Sequence, residues 1–176
     1  MKPLTSLFII ILIFFQSIGQ ENKTSNFPDS YFGIYTGDLI IHSDKGVKNY
    51  PMEFHLLSTD SLGIYNYMIV YGKDENRQER KYTLKQKSNE PGKYILDENN
   101  GILLDCKVVN NKMYFLFEVM DSLLTTFVTF YDDHLVFEIV MTNTQNKVIS
   151  GGQEKDIPEV ISYPIAVIQK AVLNKQ

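Results

Sequence analysis

The sequence predicts an all-β fold, in which an antiparallel meander closes into a β-barrel of about eight or nine strands with a C-terminal helix packed outside. Residues 101–142 divide into four segments of alternating apolar and polar residues, joined by turns of about two residues. Shorter segments of the same kind precede them, nearly all separated by turn-forming residues. An antiparallel array of this length must protect its edges, and closure into a barrel removes them.

The N-terminal residues 1–19 have the pattern of a signal peptide. Lys2 is followed by the unbroken apolar run Leu7–Phe15, and the small residues Ser17 and Gly19 then suit a signal peptidase. We therefore expect an exported protein, periplasmic or secreted, cleaved near Gly19-Gln20. An uncleaved anchor needs about 20 apolar residues, so we do not expect an integral membrane protein.

The rest of the chain has the size and composition of one domain. Residues 20–30 are polar and read as a flexible leader, and residues 31–176 are long enough for a single domain with a sizeable core. The formal net charge is −4, and no basic cluster occurs, which argues against a nucleic-acid partner. Cys106 is the single cysteine, so the fold has to rest on packing rather than on an internal disulfide.

The first half of the domain predicts five strands. The segment 73–80 between the third and the fourth is strongly charged and predicts a solvated hairpin tip. Residues 64–71 are apolar or aromatic on both faces, as expected of a strand that is covered on both sides or lines a cavity. The predicted strands are Tyr31–His42, Tyr50–Ser58, Ile64–Tyr71, Tyr82–Gln86 and Lys93–Asp97.

The meander that follows has one almost purely apolar face. Its predicted strands are Ile102–Val109, Lys112–Met120, Leu123–Tyr131 and His134–Thr142, with turns at Asn110-Asn111, Asp121-Ser122 and Asp132-Asp133. Under that register Thr126 is the single polar member of the apolar face, which we assign to the barrel interior. The interior candidates for ligand contact are Cys106, Phe115, Phe117, Phe130, Phe137 and Met141.

The end of the chain changes its period. Apolar residues recur there at helical spacing: Ile157, Val160, Ile161, Ile165, Ile168 and Val172. Pro158 suits a first helical turn, whereas Pro164 interrupts the helical hydrogen bonds. The pattern therefore predicts a helix over residues 164–173, docked on the outside of the sheet.

The layout of residues 31–174 resembles the lipocalin and wider calycin group. The resemblance rests on export, an antiparallel barrel beginning with Phe32-Gly33-Ile34-Tyr35, and a helix after the last strands. That group has a Gly-x-Trp motif in its first strand, and Gly33 and Tyr35 match it with tyrosine in place of tryptophan. The resemblance implies a barrel that binds a small hydrophobic molecule.

The residues themselves leave two main functions open. An apolar interior is able to hold a small apolar or amphipathic ligand, whereas the same side chains are able to fill an ordinary core. In the second case the protein is a structural or protein-interaction module of the cell envelope, with Tyr114, Phe127 and Tyr131 on its contact surface.

Catalytic and metal-binding patterns do not emerge from the sequence. The histidines, His42, His55 and His134, fall on separate strands without metal-ligand spacing, and no Gly-x-Ser-x-Gly occurs. Gly151-Gly152 lacks the lysine of a phosphate-binding loop. We therefore predict no catalytic residues, no metal and no cofactor. A third hypothesis is an enzyme in which Glu118 or Glu138 is catalytic.

Overall fold

The computed structural model describes residues 26–176 as a closed antiparallel barrel of ten strands with a separate two-stranded hairpin. The predicted signal peptide and residues 20–25 of the predicted leader lie outside the described residues. Short 3-10 helices cover Asp29–Tyr31, Asp74–Asn76 and Thr144–Asn146. The barrel strands are β1 (Gly33–Ser43), β2 (Gly46–Ser58), β3 (Ile64–Tyr71), β4 (Gln78–Gln86), β5 (Lys93–Asp97), β6 (Leu103–Val109), β7 (Lys112–Val119), β8 (Ser122–Phe130), β9 (His134–Asn143) and β12 (Ile165–Lys175). The hairpin consists of β10 (Val148–Ser150) and β11 (Val160–Ser162).

The strand order confirms the predicted barrel. Strands β1 to β9 pair with their neighbours in sequence, and β12 closes the barrel between β9 and β1. Every pairing is antiparallel. Short connections explain this for β1 to β9, whereas β12 follows β9 only after the hairpin β10–β11. The number of barrel strands is ten rather than the predicted eight or nine, because the C-terminal segment supplies a strand.

The predicted C-terminal helix is wrong. Residues 165–175 form β12, in which Ala171 and Leu173 point inward and are 2% and 0% exposed. The residues of the predicted helical stripe face solvent instead, since Ile168 and Val172 are 46% and 49% exposed. Two strands, β1 and β9, offer unpaired edges to this segment, and pairing with both outweighs the local helical spacing. The isoleucines and valines of this segment are β-branched, which suits a strand.

The meander follows the predicted faces with one shifted turn. Val109 pairs with Lys112, and the Tyr131 amide donates to the His134 carbonyl at 2.8 Å, both as predicted. The turn between β7 and β8 lies at Met120-Asp121, one residue earlier than predicted, and both residues have positive φ. This places the register of β7 and β8 two residues away from the prediction. A shift of two residues keeps every side chain on its face, because the strand period is two.

The first half of the domain also matches in outline. Strand β4 begins at Gln78 and β2 begins at Gly46, both earlier than predicted. Residues 78–80, which the charge pattern assigned to a solvated hairpin tip, therefore belong to the barrel wall. Their inclusion matters below because it turns Arg80 toward the interior.

One end of the barrel interior is filled by aromatic rings. The Phe130 side chain is fully buried, and its ring centroid lies 5.1 Å from that of Tyr31 and 5.9 Å from that of Phe54. Phe27 packs on the same cluster, 5.4 Å from Tyr94 between centroids. The packed part of the chain thus includes Phe27. We call this end, where β1 begins, the filled end.

Within residues 26–176, no helix has both the length and the apolar character needed to cross a membrane.

Candidate functional site

The opposite end of the barrel interior holds two neighbouring cavities. The first, which we call the apolar cavity, has a volume of about 340 Å³, and hydrophobic residues of β3 to β9 form most of its wall. The second, the rim cavity, measures about 850 Å³ and extends to the loop that joins β3 to β4. Tyr71, Arg80, Leu124 and Ile139 line both. Each volume lies within the range of about 300–1,000 Å³ that is usual for small-molecule sites, and the two cavities together make one open end.

Three of the predicted ligand-contact residues line the apolar cavity, namely Phe115, Phe117 and Phe137. Phe117 is only partly buried, whereas Phe115 and Phe137 are 4% and 1% exposed. The cavity therefore ends on a floor of packed rings, with Phe117 on its wall. The ligand-binding role of these residues stays a prediction.

The other predicted residues lie elsewhere. Phe130 belongs to the aromatic cluster of the filled end, and Met141 is half-buried on β9 outside the lining of both cavities. Cys106 is 3% exposed in the core, and burial raises the pKa of its thiol to about 12. A thiol that stays protonated is a poor nucleophile, so Cys106 serves packing.

The barrel wall beside the apolar cavity is incompletely paired. Strands β6 and β7 pair from Val109 and Lys112 only as far as Lys107 and Tyr114, and β4 pairs with β5 only from Thr83 onward. The turn that leads from β5 to β6 partly covers the unpaired start of β4, because the Asn99 side chain donates to the Lys81 carbonyl at 3.2 Å. The cavity is thus bounded here by side chains and a turn rather than by a continuous ladder.

Two charged side chains line the apolar cavity, Arg80 and Glu98. Arg80 extends from β4 on the same face as Tyr82 and the fully buried Leu84, and its guanidinium carbon lies 5.9 Å from the centroid of the Tyr71 ring. Contact with the Tyr82 hydroxyl raises the pKa of Arg80 further, so the guanidinium is always charged. The open end therefore places a permanent cation beside an apolar space.

The tyrosines of this cavity are neutral hydroxyl groups. Burial raises the pKa of Tyr71 to about 12 and that of Tyr67 well above its ordinary value. By contrast, the filled end uses its tyrosine hydroxyls internally, since Tyr35 donates to the Tyr31 carbonyl at 2.7 Å. Phenol groups at the open end are available as hydrogen-bond donors to a polar group.

The loop over the rim cavity is tied to the outer wall by a charged cluster. Arg77 donates to both carboxylate oxygens of Glu53, at 2.6 and 3.3 Å, and His55 Nε2 lies 2.9 Å from the same carboxylate. The Arg77 guanidinium is the main reason that the pKa of Glu53 lies below its ordinary value. Gly72 permits the turn, because its φ is +77° and a Cβ there would collide with the Asn76 carbonyl.

The aromatic residues proposed for a partner surface pair with one another. Tyr114 and Phe127 make an edge-on contact at 5.6 Å between centroids, and Tyr131 stacks on His134 at 4.4 Å. Such cross-strand pairs stabilise a sheet without any partner. In residues 26–176, no group of three or more histidine, cysteine or acidic side chains is arranged to hold a metal ion.

The sequence reasoning missed Arg80. Its charge and its neighbours Glu79 and Lys81 suggested a solvated tip. The alternation Arg80, Tyr82, Leu84 continues the inward face of the strand and is the signal that could have placed Arg80 inside.

Comparisons with known proteins support the fold. No family model matches the chain, and no curated protein does. Among solved structures, the chain is similar to the crystal structure of a protein with unknown function from the DUF3598 family of Nostoc punctiforme, with a TM-score of 0.58 and 9% sequence identity. The match covers 84% of this chain and 48% of that chain, so this chain spans about half the length of that protein. At this identity the likeness concerns the fold alone.

Proposed function

We propose that this protein is an exported, non-enzymatic barrel that binds a small hydrophobic or amphipathic molecule at its open end. The observation that carries the proposal is the apolar cavity of about 340 Å³, bounded by Phe115, Phe117 and Phe137 and continuous in its lining with the larger rim cavity. Apolar cavities with a few polar groups are the usual form of small-molecule sites.

The contrast between the two ends of the barrel supports this function. The same meander face supplies Phe130 to a closed aromatic cluster and Phe117 to the wall of the apolar cavity. A protein that only needed a core would gain stability from filling the open end as well, because burial of apolar area is favourable. The open end is therefore the part of the fold that stability does not explain.

A matched pair of substitutions tests the proposal. Phe117→Trp adds bulk at the cavity wall, so we expect it to weaken binding of an apolar fluorophore while the free energy of unfolding changes little. Phe130→Trp adds the same bulk at the filled end, where overpacking costs about 1–3 kcal/mol. Fluorophore titration and urea denaturation of both variants give the answer. Unchanged fluorophore binding by Phe117→Trp would overturn the cavity as the binding site.

A protein-interaction module is the second candidate, and one observation favours it. The hairpin β10–β11 lies apart from the barrel sheet, and Val148, Ile149, Val160 and Ile161 are 44–54% exposed. Exposed apolar side chains on one short hairpin are a feature of contact surfaces. The double variant Ile149→Asp, Ile161→Asp leaves ligand binding intact under the first proposal. Under the second it removes a protein partner, and co-purification from the native cells measures that loss.

A further inference from the structure

We infer that Arg80 is the anchor for an anionic head group, so that the ligand of the open end is a single-chain amphiphile whose tail occupies the apolar cavity. The inference rests on the proposed function and specifies its ligand class. It follows from the position of one cation at the boundary of two cavities, one mostly apolar and one reaching the rim.

The first step is the placement of the guanidinium. Arg80 lines both the apolar cavity and the rim cavity, and its backbone pairs with that of Ile69, an inward residue of β3. The Tyr71 ring lies 5.9 Å from its guanidinium carbon. A cation held over an aromatic face keeps its hydrogen-bonding edges pointing away from the ring, and apart from the contact with the Tyr82 hydroxyl they remain for another group.

The second step is that no carboxylate of the described residues contacts the Arg80 guanidinium directly, although the charge of Glu98 is close enough to raise the pKa of Arg80. In the part of the chain that the structure describes, the neighbouring cations Arg77 and Lys81 make ion pairs with acidic residues on the outer face, and no ion pair involves Arg80. Glu98 lines the same cavity, but it accepts a hydrogen bond from the Asn100 side chain at 3.2 Å and forms no ion pair with Arg80. A guanidinium pairs with carboxylate in a planar, two-bond geometry.

The third step is the chemistry around the cation. The walls next to Arg80 are Tyr71, Leu124 and Ile139, which are shared by both cavities. Arg80 itself is exposed, so an anion reaches it from solvent. The apolar walls on its inner side reduce the water around a bound head group, which strengthens a charge-assisted hydrogen bond. The hydroxyl of Tyr82, which contacts Arg80, is a second donor at the same position.

Glu98 limits the preference of the open end for anionic over neutral ligands. Its negative charge faces the same cavity and opposes an anionic ligand. Glu98→Gln should therefore tighten the binding of an anion by a few-fold without a comparable effect on a neutral ligand. The two side chains act in opposite directions, which makes them a paired test.

The experiment measures the binding of decanoate, decyl sulfate and decanol to the full chain by displacement of an apolar fluorophore at pH 7. A purely apolar site binds decanol more tightly than decanoate, because the carboxylate must lose hydration. We expect the reverse order. Arg80→Met should weaken decanoate binding by roughly tenfold or more, the range of a lost hydrogen bond to a charged group, and leave decanol binding close to unchanged. The ratio of decyl sulfate to decanoate affinity then tells a tetrahedral head group from a planar one.

Controls keep the outcomes distinct. Lys81→Met removes a positive charge from the next residue on the outer face and should leave decanoate binding unchanged, and Arg80→Lys should retain part of it. Decanol binding more tightly than both anions in the wild type would overturn the anion site but leave the proposed cavity. An equal loss of all ligands in Arg80→Met would assign Arg80 a structural role and also overturn the inference. Failure of every ligand and of the fluorophore to bind would overturn the proposed function itself.

Discussion

Leu173→Ala and Val172→Ala, made separately, test whether the C-terminal segment is the closing strand of the barrel. In β12 Leu173 points inward and is fully buried, whereas Val172 is 49% exposed. A helix over residues 164–173 with its apolar stripe docked on the sheet would reverse these roles. The two neighbouring positions therefore give opposite results for the two structures.

The surroundings of Leu173 set the size of the effect. Its backbone pairs with Gly37 on one side and with Leu135 on the other. Gly37 has no side chain to move into the vacated space, and a Cβ at Gly37 would lie only 3.1 Å from Leu173 Cδ2. Large-to-small changes at buried leucines cost about 2–5 kcal/mol, and we expect about 3–4 kcal/mol here because the site cannot collapse. Val172→Ala should cost at most about 1 kcal/mol, the span of strand propensity.

Urea denaturation followed by intrinsic tyrosine fluorescence and circular dichroism measures both values. For a domain of this size, a loss of 3 kcal/mol lowers the melting temperature by about 6–12 °C. A larger loss for Val172→Ala than for Leu173→Ala would refute the assignment of β12. Equal small losses would show that the C-terminal segment does not close the barrel.

Further predictions concern the filled end, the rim and the buried thiol. Tyr31→Phe removes the ring hydroxyl only and should be nearly neutral in urea denaturation, whereas Tyr31→Ala should cost about 3 kcal/mol, because its ring stacks on Phe130 at 5.1 Å. The folded-state pKa of Glu53 is lowered, so its ionised carboxylate contributes stability above the unfolded-state pKa of 4.5, and this contribution is lost as the pH falls through the folded-state pKa. Glu53→Gln should remove this contribution, so the free energies of unfolding of wild type and variant should converge in acid. A constant difference at every pH would contradict this. Cys106 should resist iodoacetamide in the native protein and react once urea unfolds it, since burial raises the pKa of its thiol to about 12.

Much of the barrel follows from local sequence rules. The alternation from Met113 to Phe117 and the Asn110-Asn111 turn depend on the strand period and on turn chemistry, which act over a few residues. The displaced turn at Met120-Asp121 did not alter the faces, because the shift was by two residues. The residues that determine these strands and turns lie within the same short segments of sequence.

The C-terminal strand and the cavity depend on long-range structure. Ile165, Ile168 and Val172 have helical spacing, and only the free edges of β1 and β9 turn their segment into a strand. Whether Phe117 faces a space or a packed ring depends on how rings from distant strands fill the interior, which no single segment encodes. Arg80 was missed for a different reason, since a charged residue in a charged stretch is usually solvated, and that expectation overrode the local alternation with Tyr82 and Leu84.

Ligand binding at the open end is best tested by native mass spectrometry of the protein purified from its own cells under non-denaturing conditions, followed by denaturing extraction of anything bound. We expect a stoichiometric small molecule that has one apolar chain and an anionic head group and that is absent from Phe117→Trp. An apo mass, together with no uptake of an apolar fluorophore by the purified protein, would show that the open end is not a ligand site.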